Sequence, residues 1–440
     1  MQNTKPQVNR TLILETVDHI GKSVVVKGWV RLRRDHGKLI FLDVRDRSGI
    51  VQVVVNPKVS DAAYKTAQEL KPEFVVNILG KVNKRPKGTI NKDLPTGEIE
   101  VEANEVSVLS EAEGLPFDMG GESLNLELPT FLDHRSLTLR HPKVKEIFQV
   151  QAKILEGFRK AANEIGCTEI VVPTIVTMAT EGGAELFEVK YYNHKAYLSQ
   201  SPQLYKQMMV PVFERVWTIA HAYRAEPSVT TRHLCETTQL DCELGFVEFE
   251  ELLELLEKVA VEMFKHVEAS CSFLEKVEYG KIQRLALKDA QEIIYKEYKR
   301  DNRKEKDLTP QDEVDICKWA KGKYKSDFVI ITHFPSKAKP FYIMPDSKNP
   351  EYSLSYDLLF RGIEILSGGQ REHNYEKLVK AIKDRGMNHH DFNMYLMAFK
   401  YGMPSEGGFS FGLERMTMKL LRLANVREAS LFPRDMERVD

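Results

Sequence analysis

Gly407-Gly408-Phe409-Ser410-Phe411-Gly412-Leu413-Glu414-Arg415 alternates small and apolar residues, then ends on an acid and an arginine. The alternation predicts a strand that runs into a helix, and its glycines leave bare backbone against which a flat ligand can lie. Arg415 projects from the end of the run, where a planar guanidinium stacks on a base or meets a phosphate. Read alone, the same run also describes a strand whose glycines serve only close packing. Partners elsewhere in the chain favour the ligand reading.

Two further segments share its character. One spans residues 166–175, where a helix ends and Ile170-Val171-Val172-Pro173 reads as a strand. The other is Tyr223-Arg224-Ala225-Glu226, followed by Thr231-Arg232-His233 and Asp241-Cys242-Glu243. On a strand, Arg224 and Glu226 share a face because side chains alternate with period two. Such a pair can grip a phosphate and the amino edge of a base together, or it can be a surface ion pair. The loop from Pro227 to Thr231 then delivers Arg232 and His233, suited to further phosphates.

The 440 residues carry a net charge of −1, with 29% charged and 42% hydrophobic residues. Any nucleic-acid contact must therefore come from local basic patches. Five cysteines (Cys167, Cys235, Cys242, Cys271, Cys317) lack CxxC spacing, which argues against a disulfide framework or a zinc site. No apolar run approaches the roughly 18 residues of a membrane span, and Met1 to Arg10 is polar, so the expectation is a cytoplasmic protein without a membrane partner.

Residues 1–107 read as β. Short β-branched runs at 24–26, 39–44, 50–55, 74–79 and 98–102, with one helical stretch at 60–70, suit a small barrel of the oligonucleotide-binding (OB) kind. The basic segment 31–38 is expected in the loop between the first two strands. Beside an exposed Phe41 it makes a platform for stacked bases, at about 1–3 kcal/mol per base. Residues 108–134 read as a hinge. From 135 to 440 helices alternate with strands, with long amphipathic helices over 142–165 and 248–274. The charged stretch 276–324 reads as an exposed helical insertion.

Together the three segments resemble the three motifs of class II aminoacyl-tRNA synthetases. Nearly the whole chain is similar to the short, archaeal/eukaryotic-like aspartyl branch of that family. Thr180 to Phe187, Gln200 to Gln207, Ser367 to His373 and Leu431 to Asp435 carry the resemblance most specifically. It implies an α+β multidomain fold: an OB-fold anticodon-binding barrel, then a catalytic domain with an antiparallel sheet flanked by helices. It also implies a ligase that joins L-aspartate to tRNA(Asp) through aspartyl-adenylate, with ATP as substrate and Mg²⁺ as cofactor.

By that resemblance Arg224 holds the α-phosphate and the amino-acid carboxylate, and Glu226 meets the adenine amino group. Arg232 and His233 bind the distal phosphates, while Gly412 and Arg415 complete the ATP site. Glu364 and Ser367 match the magnesium positions, apt for a hard cation that prefers oxygen. Lys206 and Arg371 face the substrate's second carboxylate, with Glu181, Ser201, Gln203, Asp241 and Ser367 around it. Lys206 separates this branch from the asparaginyl one. Arg31, Phe41, Gln52 and Glu111 fall at anticodon positions, and Pro173 resembles a homodimer-interface proline. Thr237 stands where the family often has an aromatic residue on adenine, and Arg31 matches neither common choice at a position linked to charging tRNA(Asn) as well. The competing readings are a ligase that charges both tRNAs, an asparaginyl enzyme or paralogue, and a non-catalytic tRNA-binding protein.

Overall fold

A computed structural model describes residues 9–177, 185–227 and 230–439. The chain divides into two compact units, Met1–Phe131 and Leu132–Asp440.

In the first unit, β1 (Ser23–His36), β2 (Leu39–Arg45), β3 (Ile50–Val55), β4 (Val75–Lys84) and β5 (Ile99–Ser110) close a barrel in the order β1-β2-β3-β5-β4. Helix α1 (Asp61–Glu69) lies between β3 and β4, with the Ser60 hydroxyl accepting the Ala63 N–H as its N-cap. Alternation decides which residues fill the barrel: Ile40, Leu42 and Val44 point inward, while Phe41, Asp43 and Arg45 are half-buried on the outer face. Two expectations need correction. The basic segment is no loop, because Arg31 to His36 extend β1 and the turn is confined to Gly37 and Lys38, with Gly37 at φ 63°. Phe41 is half-buried rather than fully exposed, lying across from Arg34 in the β1–β2 register.

In the second unit, α2 (Leu128–Asp133, which begins just before the division) and α3 (Arg135–Thr138) lead into α4 (Pro142–Glu164). Pro142 opens α4, where a missing N–H costs nothing. Val144, Ile147, Val150, Ile154, Phe158 and Ala161 recur at three- and four-residue steps and are buried. Strand β6 (Thr168–Glu169) follows, and here the sequence reading fails. Residues 170–173 form no regular strand, and Val171 is 97% exposed. A small separate sheet contains β7 (Ile175–Val176), β8 (Glu188–Tyr191) and β9 (His194–Leu198). Helices α5 (Gln203–Met208) and α6 (Val210–Phe213) precede β10 (Arg215–Tyr223) and β11 (Glu236–Gly245).

Helix α7 (Phe249–Ser270) is followed by β12 (Gln283–Ala286), α8 (Leu287–Tyr298), α9 (Pro310–Tyr324) and β13 (Phe328–Thr332). Strands β14 (Ser355–Phe360) and β15 (Ile363–Gln370) come next, then α10 (Tyr375–Asp384), α11 (Asn393–Lys400), β16 (Glu406–Gly412) and α12 (Leu413–Leu420). One eight-stranded sheet, in the order β12-β13-β14-β15-β16-β11-β10-β6, is antiparallel from β13 to β10 and parallel at its two ends. Helices α4 and α7 bury their apolar stripes with this sheet. Phe158 meets Trp217 edge-on at 5.7 Å and Phe411 at 6.3 Å.

The stretch 276–324 is not exposed throughout, although its charge suggests it. Strand β12 is the sheet's edge. Leu287, Ala290 and Ile294 of α8 and Ile316, Cys317 and Ala320 of α9 are buried in one cluster with Val329, Ile331 and Leu359. A capping box starts α9: the Thr309 hydroxyl accepts the Asp312 N–H at 3.3 Å, and Asp312 accepts the Thr309 N–H at 3.0 Å. Dense surface charge on the outward faces hides this apolar spacing in the sequence. Ile316→Ala is therefore expected to destabilise the protein by about 2–5 kcal/mol in urea unfolding; a change within experimental error would return this segment to the surface.

Candidate active site

Strands β11, β15 and β16, with α5 and the chain after β10, enclose a cavity of about 360 Å³. Its wall includes Ser201, Gln203, Lys206, Arg224, Glu226, Arg232, His233, Glu364, Ser367, Arg371, Gly412 and Arg415. Asp241 reaches it through Lys206. Glu181 lies outside the described residues, and Arg31, Phe41, Gln52 and Glu111 belong to the barrel unit.

The floor is a buried quartet of charges. Lys206 Nζ lies 2.7 Å from Asp241 Oδ1 and 3.1 Å from Glu243 Oε2. Arg371 donates from Nε to Glu243 Oε1 at 2.7 Å, and from Nη2 to Glu243 Oε2 at 3.2 Å and Gln203 Oε1 at 3.3 Å. Ser410 donates to Asp241 Oδ2 at 3.1 Å. Burial alone would pull Lys206 down, yet Asp241 and Glu243 hold it above the ordinary lysine value. Burial pushes Glu243 up, but Arg371 and Lys206 together leave it below the ordinary carboxylate value. Asp241 is raised by burial against the pull of Lys206. Two cations thus face two carboxylates at the floor.

Glu243 was missed as a site residue, although a signal for it existed. On β11 it lies two residues from Asp241, so both side chains share one face. Gly408, paired with Glu243 across β16, is what admits it: a Cβ there would collide with the Glu243 carboxylate and the Cys242 carbonyl. The opening glycines therefore divide. Gly408 serves packing, whereas Gly412 has open space beside its backbone and lines the cavity.

The upper wall is built differently from its expected form. Strand β10 ends at Tyr223, so Arg224 and Glu226 do not share a strand face. The segment is held instead by backbone bonds, Arg224 N to Cys235 O at 2.8 Å and Ala225 N to Glu185 O at 3.1 Å. Arg415 Nη1 sits 3.3 Å from Glu364 Oε2 and 3.2 Å from the Glu364 carbonyl oxygen. Arg232 Nη1 pairs with Glu313 of α9 at 2.7 Å, and burial pushes that carboxyl up to about 7. Neither Glu313 nor Lys339 was anticipated. Lys339 is half-buried against Asp357 at 3.1 Å, with its ammonium 3.8 Å from the Phe334 ring centroid.

Among the described residues no group of three or more His, Cys, Asp or Glu side chains could hold a metal alone. Glu364 and Ser367, with Asp357 hydrogen-bonded to Ser367, offer hard oxygen donors fit for Mg²⁺ only where a ligand supplies further oxygens. Glu414 accepts the Thr238 N–H on both oxygens, at 3.0 and 3.1 Å, yet burial still pushes it from 4.5 up to about 7.

Residues 127–436 match the family of class II tRNA synthetases (D, K and N), and residues 24–109 match the OB-fold nucleic acid binding domain. The aspartate–tRNA(Asp) ligase of Pyrococcus furiosus is 39% identical over 438 residues, spanning 95% of this chain and 96% of that protein. The aspartate–tRNA(Asp/Asn) ligase of Thermus thermophilus is 40% identical over 442 residues, 98% of this chain and 99% of its own. Among solved structures, the asparaginyl-tRNA synthetase of Pyrococcus horikoshii with asparaginyl-adenylate superposes with a TM-score of 0.89 at 29% identity, covering 98% of this chain and 99% of that one.

Two outcomes follow from the buried charges. Glu243→Ala leaves Lys206 and Arg371 facing one carboxylate and is expected to cost about 3–5 kcal/mol in urea unfolding. A raised carboxyl is favoured protonated in the fold, so Glu414 contributes stability below its ordinary range that is lost as pH rises through about 7. Glu414→Gln should flatten that decline between pH 5 and pH 8, and parallel wild-type and variant curves would refute the assignment.

Proposed function

The chain belongs to the class II tRNA synthetases, and from that premise we propose that its cavity activates L-aspartate with ATP and passes it to tRNA(Asp). The observation that carries the amino-acid choice is the buried pair Lys206 and Arg371 in the cavity floor. Arg371 spends Nε and Nη2 on Glu243 and Gln203, and its Nη1 has no hydrogen-bond partner among the described residues. A second carboxylate meets that donor and the ammonium of Lys206. Asparagine would turn an amide N–H toward one of them, a mismatch that a polar pocket rejects strongly. Gln203 then borders the ammonium end of the substrate with Ser201 beside it, and Asp241 acts from behind through Lys206.

Activation needs no enzyme nucleophile. A carboxylate oxygen of aspartate bonds to the α-phosphorus while the bond to the pyrophosphate oxygen breaks, and the charge builds on the phosphate oxygens. The residues' task is alignment and charge stabilisation. In this reading Arg224 bridges the α-phosphate and the attacking carboxylate, and Glu226 accepts from the adenine amine. Arg232 and His233 meet the distal phosphates, and Arg415 lies across the nucleotide beside Gly412. Glu364 and Ser367 hold Mg²⁺, which supplies charge neutralisation to the phosphates when bound. With Thr237 on the cavity wall instead of a ring, Arg415 carries more of the adenine contact.

The barrel reads the anticodon through Phe41 and Gln52, with Glu111 and Arg31 at its margin. Arg31 Nη2 is tied to the Gly121 carbonyl at 3.3 Å. We also propose that tRNA(Asn) is a second acceptor, a reading consistent with relatives named for both tRNAs beside others named for tRNA(Asp) alone. Pro173, in an exposed segment after β6, supports a homodimer, and five unpaired cysteines support a cytoplasmic setting. No helix of the described residues is long and apolar enough to cross a membrane.

Exchange of labelled pyrophosphate into ATP should depend on aspartate and fall at least about 100-fold in Arg224→Ala and in Arg415→Ala. Exchange driven by asparagine alone would overturn the aspartyl reading, and no exchange with any amino acid would favour a non-catalytic tRNA-binding protein. Charging of tRNA(Asp) and tRNA(Asn) transcripts tests the second acceptor directly.

A further inference from the structure

The sheet face that carries the buried charges holds a third acid one step past them. β11 and β16 run antiparallel, with Asp241 opposite Ser410, Glu243 opposite Gly408 and Gly245 opposite Glu406. Side chains two residues apart share a face, so Glu406 stands in line with Asp241 and Glu243, across from a glycine that leaves it room. It is fully buried, and Lys206 and Arg371 are already engaged with the other two acids. Its Oε1 accepts the Gln207 amide nitrogen at 2.8 Å. Its Oε2 is buried with no hydrogen-bond partner among the described residues.

Glu406 is tied to both elements that carry the cations. Its carbonyl oxygen accepts the Arg371 N–H at 2.9 Å, which sets the backbone from which that guanidinium projects. Gln207 follows Lys206 on α5 and is fully buried. Its amide is fixed at both ends: Nε2 donates to Glu406, and Oε1 accepts the Tyr395 hydroxyl of α11 at 3.1 Å. An ionised carboxylate buried so completely, with one neutral donor, carries a large desolvation cost. Burial first, and then the charge of Glu243, push the Glu406 carboxyl well above the ordinary carboxylate range, against the pull of Gln207, Arg371 and Lys206. Tyr395, the remaining titratable group beside it, is likewise raised by burial and keeps its proton.

We propose that Glu406 is a positioning residue for aspartate recognition, holding Lys206 through Gln207 and Arg371 through its own main chain. It does so as an uncharged carboxylic acid. A third negative charge on this face would compete with the substrate's second carboxylate for the two cations, whereas an acid that keeps its proton orients them without competing. The chain from Tyr395 through Gln207 to Glu406 runs behind the amino-acid end of the cavity, so its effect falls on aspartate rather than on ATP. This inference rests on the aspartate reading of the floor, and the test separates the two.

Pyrophosphate exchange is measured for the full-length protein with aspartate and ATP varied separately, in wild type, Glu406→Ala, Glu406→Gln and Tyr395→Phe, with thermal unfolding as control. In Glu406→Ala the KM for aspartate is expected to rise about 10-fold, with kcat and the KM for ATP changed by no more than about twofold. Glu406→Gln keeps the acceptor oxygen without a charge and should return the aspartate KM to near the wild-type value. Tyr395→Phe removes one hydroxyl at the far end of the chain and should raise that KM about 3-fold, which keeps the test open where the alanine variant does not fold. A merely structural glutamate would lower the melting temperature with both KM values in place, or raise both alike, and either result overturns the proposal. A glutamine variant as impaired as the alanine one would show that the charge is needed, which also overturns it. If wild-type exchange does not depend on aspartate, the reading of the floor fails and the proposal with it. If exchange depends on aspartate but its KM stays put in Glu406→Ala and Tyr395→Phe, the positioning role alone fails.

Discussion

Four buried charges, Lys206, Asp241, Glu243 and Arg371, hold the second unit's site together. They come from α5, from β11 twice and from the end of β15, so their pairing fixes the helix to two strands of the sheet. Burying any one alone would cost several kcal/mol; buried as a balanced set, each removes its partner's penalty. The floor that results is rigid and neutral, yet still carries spare N–H donors. That combination suits an anionic side chain, because the cations are already desolvated and oriented before the ligand arrives. The rest of the sheet serves this arrangement. Gly408 makes room for Glu243, Ser410 of the same strand holds Asp241, and the Phe158–Trp217–Phe411 packing fixes the strands from behind.

Much of this was legible in the sequence, for identifiable reasons. The barrel strands announce themselves through β-branched runs with period two, and α4 and α7 through a period of 3.6. Strand β16 and helix α12 follow the glycine alternation and its end at Gly412. What escaped was whatever depends on long-range pairing. Arg224 and Glu226 look like a strand pair, but β10 stops one residue earlier, and their place is set by backbone bonds to Cys235 and Glu185. Helices α8 and α9 look solvated because Lys, Asp and Glu crowd the outward faces. Their buried faces are spaced by short residues, Ala290 and Ala320 among them, which carry little hydrophobic signal.

That misreading had a consequence at the site itself. Because α9 packs on β13 and β14, its first turn is brought beside the cavity, and Glu313 meets Arg232 there. The capping box at Thr309 and Asp312 fixes where the turn starts, and hence where Glu313 points. Arg232 is thus not a free arm on a loop. It is anchored at one end by a carboxylate from an element more than eighty residues away, with a longer contact to the Gly362 carbonyl at 3.4 Å. A guanidinium has five donors, so an anchored one can still present an edge to a phosphate, at a smaller cost in side-chain entropy than a solvated arginine.

The same logic separates the two ends of the cavity. At the floor, two cations are matched by two carboxylates. At the upper wall the acids Glu313, Glu364 and Asp357 stand among Arg232, Arg415 and Lys339, with Glu313 raised to about 7 and Asp357 to about 6 by burial. Burial is the main cause of both shifts, with Arg232 and Lys339 pulling against it, so these carboxyls hold their charge less firmly than those of the floor. The floor therefore holds its charges fixed, whereas the upper wall holds carboxyls whose charge depends on what binds beside them.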